Sequence, residues 1–358
     1  MKSSVKHILI TGGAGFAGSN LAILFKQAYS NVAITALDNL KRRGSELNLT
    51  RLRQNNIAFI HGDIRNPEDF VGIKPFDLLI ECSAEPSVLA GYDNPQYLLN
   101  TNLSGTINCL ELARKFKADI VFLSTSRVYP IAAINNLNYN ETDTRFVISD
   151  GQTIPGASSK GISEDFPLFA APRSLYGASK LASELVAIEY AEAFGLNVLI
   201  NRCGILTGTW QMGKVDQGVV VLWLVNHFLE KPLSYIGFGG KGKQVRDFLH
   251  IRDLFALMDL QLDTPEKFSA RPYNVGGGQE NTFSLCELTE ACRLVTGKKI
   301  SISSDPQTRR SDIKNYITDC SRIKNIIEWS PKIGLDETLD EIYNWIVSNI
   351  STLKPIFG

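Results

Sequence analysis

Two short stretches carry side chains whose types and spacing suit proton and hydride chemistry. Tyr176-Gly177-Ala178-Ser179-Lys180 sets a phenol and an ammonium four residues apart, which on a helix puts both on one face. Ser183 and Glu184, with the apolar Leu181, Leu185 and Ile188, continue a helical pattern. A free tyrosine ionises only near about pH 10. A neighbouring ammonium stabilises the phenolate and lowers that value. Such a pair can take a proton from a substrate hydroxyl while hydride leaves the carbon. Alone, the pattern is weak, because both residue types are common on helix surfaces. The apolar run Asp119-Ile120-Val121-Phe122-Leu123 strengthens it by ending in Ser124-Thr125-Ser126. Hydroxyls at the C-terminal end of a parallel strand lie where open α/β sheets bind ligands, and Thr125 could share a proton with substrate and Tyr176. The plainer alternative is that these hydroxyls only satisfy a strand end.

Chemistry of this kind needs a hydride carrier, and the N-terminus offers a cradle for one. Lys6-His7-Ile8-Leu9-Ile10 reads as a buried parallel strand. Thr11-Gly12-Gly13-Ala14-Gly15-Phe16-Ala17-Gly18 follows at once, and Ser19–Phe25 takes up helical spacing. In that strand–turn–helix setting Gly12 makes the turn, Gly15 lets a pyrophosphate reach the backbone, and Gly18 lets helix and strand pack closely. The Gly-x-x-Gly-x-x-Gly spacing is one residue longer in its first step than the commonest dinucleotide fingerprint. A second strand, Val32–Leu37, ends at Asp38. A carboxylate there accepts both ribose hydroxyls and repels a 2′-phosphate, which favours NAD over NADP. Lys41, Arg42 and Arg43 close behind weigh the other way. Asp63, after the strand Ala58–His61, is placed to meet the adenine, with Ile64 beside it.

These stretches, with Asn102-Leu103-Ser104-Gly105-Thr106, Ser124–Tyr129 and Gln244-Val245-Arg246-Asp247-Phe248-Leu249-His250, make the chain resemble the extended short-chain dehydrogenase/reductase family over almost its whole length. Within that family it is similar to the CDP-paratose (CDP-tyvelose) 2-epimerases, through Tyr139–Arg145, Asp216-Gln217-Gly218, Gly242–Asp247, Arg309–Asp312 and Ile327–Lys332. The resemblance implies a Rossmann-type, doubly wound α/β fold with a smaller C-terminal substrate lobe, and a homodimer. It implies NAD as cofactor and a nucleotide-diphosphate sugar as substrate, epimerised by transient oxidation to a ketosugar and re-reduction on the other face. Thr125, Tyr176 and Lys180 become the catalytic positions. Gly12, Gly15, Phe16, Ala17, Asp38, Asn39, Asp63, Ile64, Asn102 and Ser124, with Tyr176 and Lys180, become the cofactor contacts. Thr125, Ser126, Arg127, Arg202, Gln217, Arg246 and Arg309 become the substrate contacts, with Arg246 and Arg309 clamping the diphosphate through paired guanidinium bonds.

Departures from the family pattern bear on the sugar. The strand Asp77–Ile80 runs into Glu81-Cys82-Ser83-Ala84-Glu85-Pro86 where relatives have a His-x-Ala-Ala/Gly segment; Arg202-Cys203-Gly204 replaces a stretch that usually contacts substrate; and Tyr129 is followed by Pro130 rather than Gly. Sugar-nucleotide 4,6-dehydratases carry an Asp-Glu pair directly after the threonine. Here Ser126 and Arg127 stand there, which disfavours water elimination. A net oxidoreductase, a 4,6-dehydratase and a catalytically silent nucleotide binder remain as alternatives, the last discouraged by Thr125, Tyr176 and Lys180 occurring together.

Composition narrows the rest. The 358 residues balance 37 basic against 37 acidic side chains, so nothing points to nucleic acid or a membrane surface. Six scattered cysteines without a Cys-x-x-Cys read as reduced core thiols, and the four histidines are too widely spaced for a metal site. A cytoplasmic protein is expected. Alternating strands and helices place an NAD-binding domain at 1–207, with a lid-like insertion at about 131–173. The substrate lobe takes 208–358, and about 243–280 returns to the first domain. Leu335–Val347 reads as a final amphipathic helix.

Overall fold

In the computed structural model, which describes residues 1–169 and 171–357, the apolar run before the glycines is strand β1 (His7–Thr11) and the glycines lead into helix α1 (Phe16–Ala28). Ala170, inside the expected insertion, and Gly358, at the end of the expected second lobe, lie outside the described residues. Four further strands follow: β2 (Ala33–Asp38), β3 (Ala58–His61), β4 (Leu78–Glu81) and β5 (Asp119–Thr125). With Val198–Cys203 and Arg271–Val275 they form a seven-stranded sheet, ordered Arg271–Val275, Val198–Cys203, β5, β4, β1, β2, β3. The pairings from Val198–Cys203 through to β3 are parallel. Ile8, Leu9, Ile10, Leu78, Leu79 and Ile80 are fully buried, as expected of strands covered on both faces. The expected α/β class with a Rossmann-type parallel sheet is therefore what the chain adopts.

The order reverses between β1 and β4, which are neighbours although two strands separate them in sequence. Open α/β sheets bind ligands beyond the carboxyl ends of the strands at such a switch point. The glycine turn leaves the end of β1 there, and Glu81 and Thr125 close β4 and β5 beside it.

The chain forms two compact units. The first comprises Met1–Thr125, Ser174–Cys203 and Ile251–Tyr273; the second comprises Ser126–Arg173, Gly204–His250 and Asn274–Gly358. The first unit holds the sheet and its core, including Leu9, Leu37, Leu79, Ile120, Phe122 and Ile200. The long helix Ser174–Phe194 packs on β5 and on Val198–Cys203.

The second unit is built on a small sheet in which Val245–His250 pairs with Ile205–Thr207, Thr282–Ser284 and Asn315–Tyr316. Leu233–Ile236 and Ile302–Asp305 form a separate parallel pair. The stretch 208–242 contains the helix Val219–Phe228. Its run Val219–Val225 is apolar all round, so no 3.6-residue stripe marks it. It is covered by the helices Leu285–Thr296 and Leu335–Phe357. The terminal helix runs ten residues past the expected Val347, through an irregular residue at Asn349 (φ −123°). Its apolar stripe of Leu339, Ile342, Trp345 and Ile346 is buried. Among the described residues, no helix is long and apolar enough to cross a membrane.

Candidate active site

The glycine turn is shaped so that side chains cannot occupy it. Gly12 has φ +64°, and a Cβ there would come within 2.8 Å of the backbone of Cys82 and Ser83. A Cβ on Gly18 would lie 2.2 Å from the carbonyl oxygen of Gly12, so turn and helix meet only because neither glycine carries a side chain. α1 starts without a side-chain cap and without an acidic residue in its first turn. Its first amides therefore lack the partner that a capped helix would supply, and the positive end of the helix is left for an anion. Gly12, Gly15, Phe16 and Ala17 are partly exposed on this turn, whereas Gly13, Ala14 and Gly18 are buried. Asn48 braces the turn by donating to the Ala14 carbonyl (2.8 Å), and Arg51 donates to Asn48 (2.7 Å) and Asn20 (2.9 Å). Neither brace is visible in the sequence, because both reach the turn from a separate helix.

At the end of β2 the buried Asp38 accepts the amides of Ala14 (3.1 Å) and Leu40 (2.8 Å). Burial pushes its carboxyl up, and the amides of Leu40, Ala14 and Gly15 counter that. A carboxylate keeps a lone pair beyond those amide bonds, so a ribose hydroxyl remains acceptable there. Asn39 donates to Asp63 (2.9 Å), which is also held by Arg65 at 2.6 Å and 2.9 Å. Burial raises the Asp63 carboxyl, but the bonds from Arg65 and Asn39 outweigh it and bring it down to about 2. Ile64 is buried and fills the space that a Cβ on Gly105 would need. The uncapped, partly exposed glycine turn with the acidic residue at the end of β2 fits a dinucleotide.

The first unit also holds the residues expected to do the acid–base chemistry. Tyr176 and Lys180 lie on the helix Ser174–Phe194, the phenol partly exposed and the lysine 1% exposed. The lysine Nζ stands 3.8 Å from the ring centroid of Phe122, three residues before Thr125 on β5. Burial lowers the proton affinity of Lys180, while the charges of Glu81 and Glu184 raise it. Asn102, fully buried, donates to Ser179 (3.2 Å) and to the carbonyl of Glu85 (3.1 Å), and accepts the Glu85 amide (2.8 Å). It ties the loop after β4 to the helix of Tyr176.

Two residues expected at ligands have other partners. Ser124 donates to Glu184 (2.5 Å). Arg202, expected at the substrate, is 4% exposed and grips the same Glu184 with Nη2 at 2.7 Å and Nε at 3.0 and 3.1 Å. Glu184 follows Lys180 by one helical turn; its sequence signal was an acidic residue on an otherwise packed helix face.

The second unit carries the remaining candidates. A cavity of about 410 Å³ is lined by Trp223, Phe238, Gln244, Arg246, Arg309 and Asp312 among others. Arg246 donates to the carbonyls of Val245 (2.6 Å) and Ile313 (2.7 Å). Its guanidinium is pushed down to about 9, first by burial and then by Arg127, with Asp312 opposing. Arg127 donates to the Ser311 carbonyl (2.9 Å) and follows Ser126 in one short helical turn. Two cations with partial compensation suit a polyanion. Gln217 is in a tight turn, its backbone bridged to Lys214. The cavity instead takes Val215 and Val219 from that stretch. Among the described residues, no group of three or more His, Cys, Asp or Glu side chains is arranged for a metal.

The chain is similar to known proteins along most of its length. Residues 8–276 match the model of the NAD dependent epimerase/dehydratase family. The chain is 32% identical over 352 residues to a CDP-paratose 2-epimerase of Salmonella typhi, covering 95% of this chain and 99% of that protein. It is 27% identical to a UDP-glucuronate 4-epimerase of Thermodesulfobacterium geofontis, covering 98% and 99%. Among solved structures, the dTDP-glucose 4,6-dehydratase of Bacillus anthracis, in complex with NAD, superposes with a TM-score of 0.76 at 27% identity, covering 98% of this chain and 99% of that one. With residues 8–276 matched by the family model and a relative 32% identical along nearly its whole length, the chain belongs to the NAD dependent epimerase/dehydratase family.

Proposed function

We propose that this protein is an NAD-dependent epimerase of a nucleotide-diphosphate sugar, with an activity like that of a CDP-paratose 2-epimerase. The observation that carries the reading is a sealed lysine one helical turn from Tyr176: Lys180 is buried, with its ammonium over Phe122, three residues before Thr125 on β5. The relative with 32% identity supports the sugar class. When bound, NAD supplies a hydride acceptor that returns the hydride to the same carbon.

Everything else is the work of the chain's own residues. Tyr176, acidified by the Lys180 charge, takes the proton of the sugar hydroxyl and later returns it. Thr125 shares that proton and orients the hydroxyl. Gly12, Gly15, Phe16 and Ala17 hold the pyrophosphate through the backbone, and Asp38 holds the adenosine ribose. Asn39, Asp63, Ile64, Asn102 and Ser124 complete the cofactor surroundings, Asn102 and Ser124 through the bonds that fix the helix of Tyr176. Arg246 and Arg309 take the diphosphate, with Ser126, Arg127 and Gln217 as further substrate positions. Epimerisation is favoured over elimination because Ser126 and Arg127 follow Thr125 and neither supplies a carboxyl acid–base pair.

A homodimer in the cytoplasm completes the reading. Six cysteines without a disulfide support a reducing compartment. The test is to incubate the purified protein with CDP-, UDP- and dTDP-linked hexoses and follow the products by NMR without added cofactor. Formation of an isomer of a CDP-sugar is expected; a 4-keto-6-deoxy product, or no turnover of any of them, would overturn the assignment.

A further inference from the structure

Lys180 is sealed in the first unit with more charge than the acid–base pair itself accounts for. Two carboxylates face it: Glu184 from its own helix and Glu81 from the end of β4. Their surroundings differ. Glu184 is 1% exposed and is already matched by Arg202, which contacts both of its oxygens. Glu81 is 2% exposed and accepts one hydrogen bond, from the hydroxyl of Thr106 at 2.8 Å. Burial pushes the Glu81 carboxyl up, and the cation that faces it, Lys180, together with the Thr106 bond, counters that. In register, Glu81 lies between Thr11 of β1 and Phe122 of β5, and Phe122 is the ring over which the Lys180 ammonium stands. Glu81 therefore closes the strand at the switch point, next to the ring that carries the ammonium.

A charge removed from water and left unmatched is driven to its neutral form. With Glu184 committed to Arg202, the positive charge of Lys180 is balanced by Glu81. The other titratable groups that face Lys180 or Glu81 are thiols. Cys82, in the loop after β4, and Cys203, at the end of Val198–Cys203, face Lys180; Cys82 and Cys109, the latter on the helix Gly105–Phe116, face Glu81. Burial pushes all three thiols up, Cys203 to about 12. They stay neutral over the working range and supply no counter-charge.

We propose that Glu81 is a positioning residue of the reaction: its carboxylate is the counter-ion that keeps Lys180 protonated, and through Lys180 it sets the pH range in which Tyr176 accepts and returns a proton. This rests on Tyr176 and Lys180 being the acid–base pair. The sign follows from the charges. Without the Glu81 charge, Lys180 loses its proton at lower pH, so the alkaline limb of turnover moves toward neutrality. A lysine that is charged less of the time stabilises phenolate less, so the acid limb moves up. The active range narrows from both sides.

The test is the pH profile of turnover for the parent, Glu81→Gln, Glu81→Asp and Tyr176→Phe, each with its unfolding transition and retained NAD measured. Glu81→Gln keeps the size of the side chain and the acceptor for Thr106, and removes the charge. It should move the alkaline limb down by about one pH unit and lower the maximum about tenfold. Glu81→Asp keeps the charge and should keep the parent's limbs. Limbs for Glu81→Gln that coincide with the parent's, or that Glu81→Asp shifts equally, would overturn the proposal while an inactive Tyr176→Phe leaves the acid–base pair standing. An active Tyr176→Phe would overturn both. Should Glu81→Gln fail to fold, Thr106→Val, which releases Glu81 from its hydrogen bond, must shift the limbs in the same direction; unmoved limbs in that variant would also overturn it.

Discussion

Replacing Arg202 separates two roles that the sequence leaves open, substrate contact and internal brace. Its guanidinium makes three contacts of 2.7–3.1 Å with Glu184, and the two side chains are 4% and 1% exposed. Glu184 also accepts the Ser124 hydroxyl, so it is fixed where it stands and cannot swing out to water. Arg202→Met keeps most of the volume but strands a buried carboxylate. Breaking a buried pair by removing one partner costs about 3–5 kcal/mol, a large part of the roughly 5–15 kcal/mol that stabilises a typical domain. Urea unfolding should therefore show a much earlier midpoint with an unchanged slope. The double variant Arg202→Met/Glu184→Gln removes the stranded charge and should recover more than half of the loss. A single variant within about 1 kcal/mol of the parent, the range of an exposed pair, combined with weakened substrate affinity, would refute this reasoning and return Arg202 to the substrate.

Three further outcomes are expected. Gly18→Ala puts a methyl 2.2 Å from the Gly12 oxygen, so the purified protein should lose its retained NAD while still unfolding cooperatively; full NAD content would refute the cradle. Arg246→Ala and Arg309→Ala should each weaken nucleotide-sugar binding by about 1.5–3 kcal/mol, roughly ten- to a hundredfold, with NAD affinity unchanged by calorimetry. Burial raises the Asp247 carboxyl to about 6, so it is protonated in the folded chain at pH values where the unfolded chain has already released the proton. Its contribution is present at low pH and is lost as pH rises toward 6; Asp247→Asn should flatten that part of the stability–pH curve, and an unchanged curve would count against the assignment.

The parallel sheet was legible because its strands are buried on both faces, so Ile8–Ile10 and Leu78–Ile80 read as unbroken apolar runs. The cradle was legible because three glycines at fixed spacing have one steric purpose. Tyr176 and Lys180 were legible as a helical pair, but their surroundings were not. Glu184 follows Lys180 by one turn of the same helix, but Glu81 and Arg202 come from two strands that only the sheet order brings near that helix, and no local spacing encodes that. Arg202 read as a substrate contact for the same reason: an arginine at a strand end carries no mark of the partner it will find. The helix Val219–Phe228 escaped notice because apolar residues on every side leave no period to detect.

Substrate deuterated at the carbon that inverts tests the epimerase assignment most directly. The enzyme as purified, incubated with that CDP-sugar, should yield the isomer with the label retained at the same carbon and no net growth of absorbance at the reduced nicotinamide band. Loss of the label to solvent, or reduced cofactor accumulating in step with product, would contradict it.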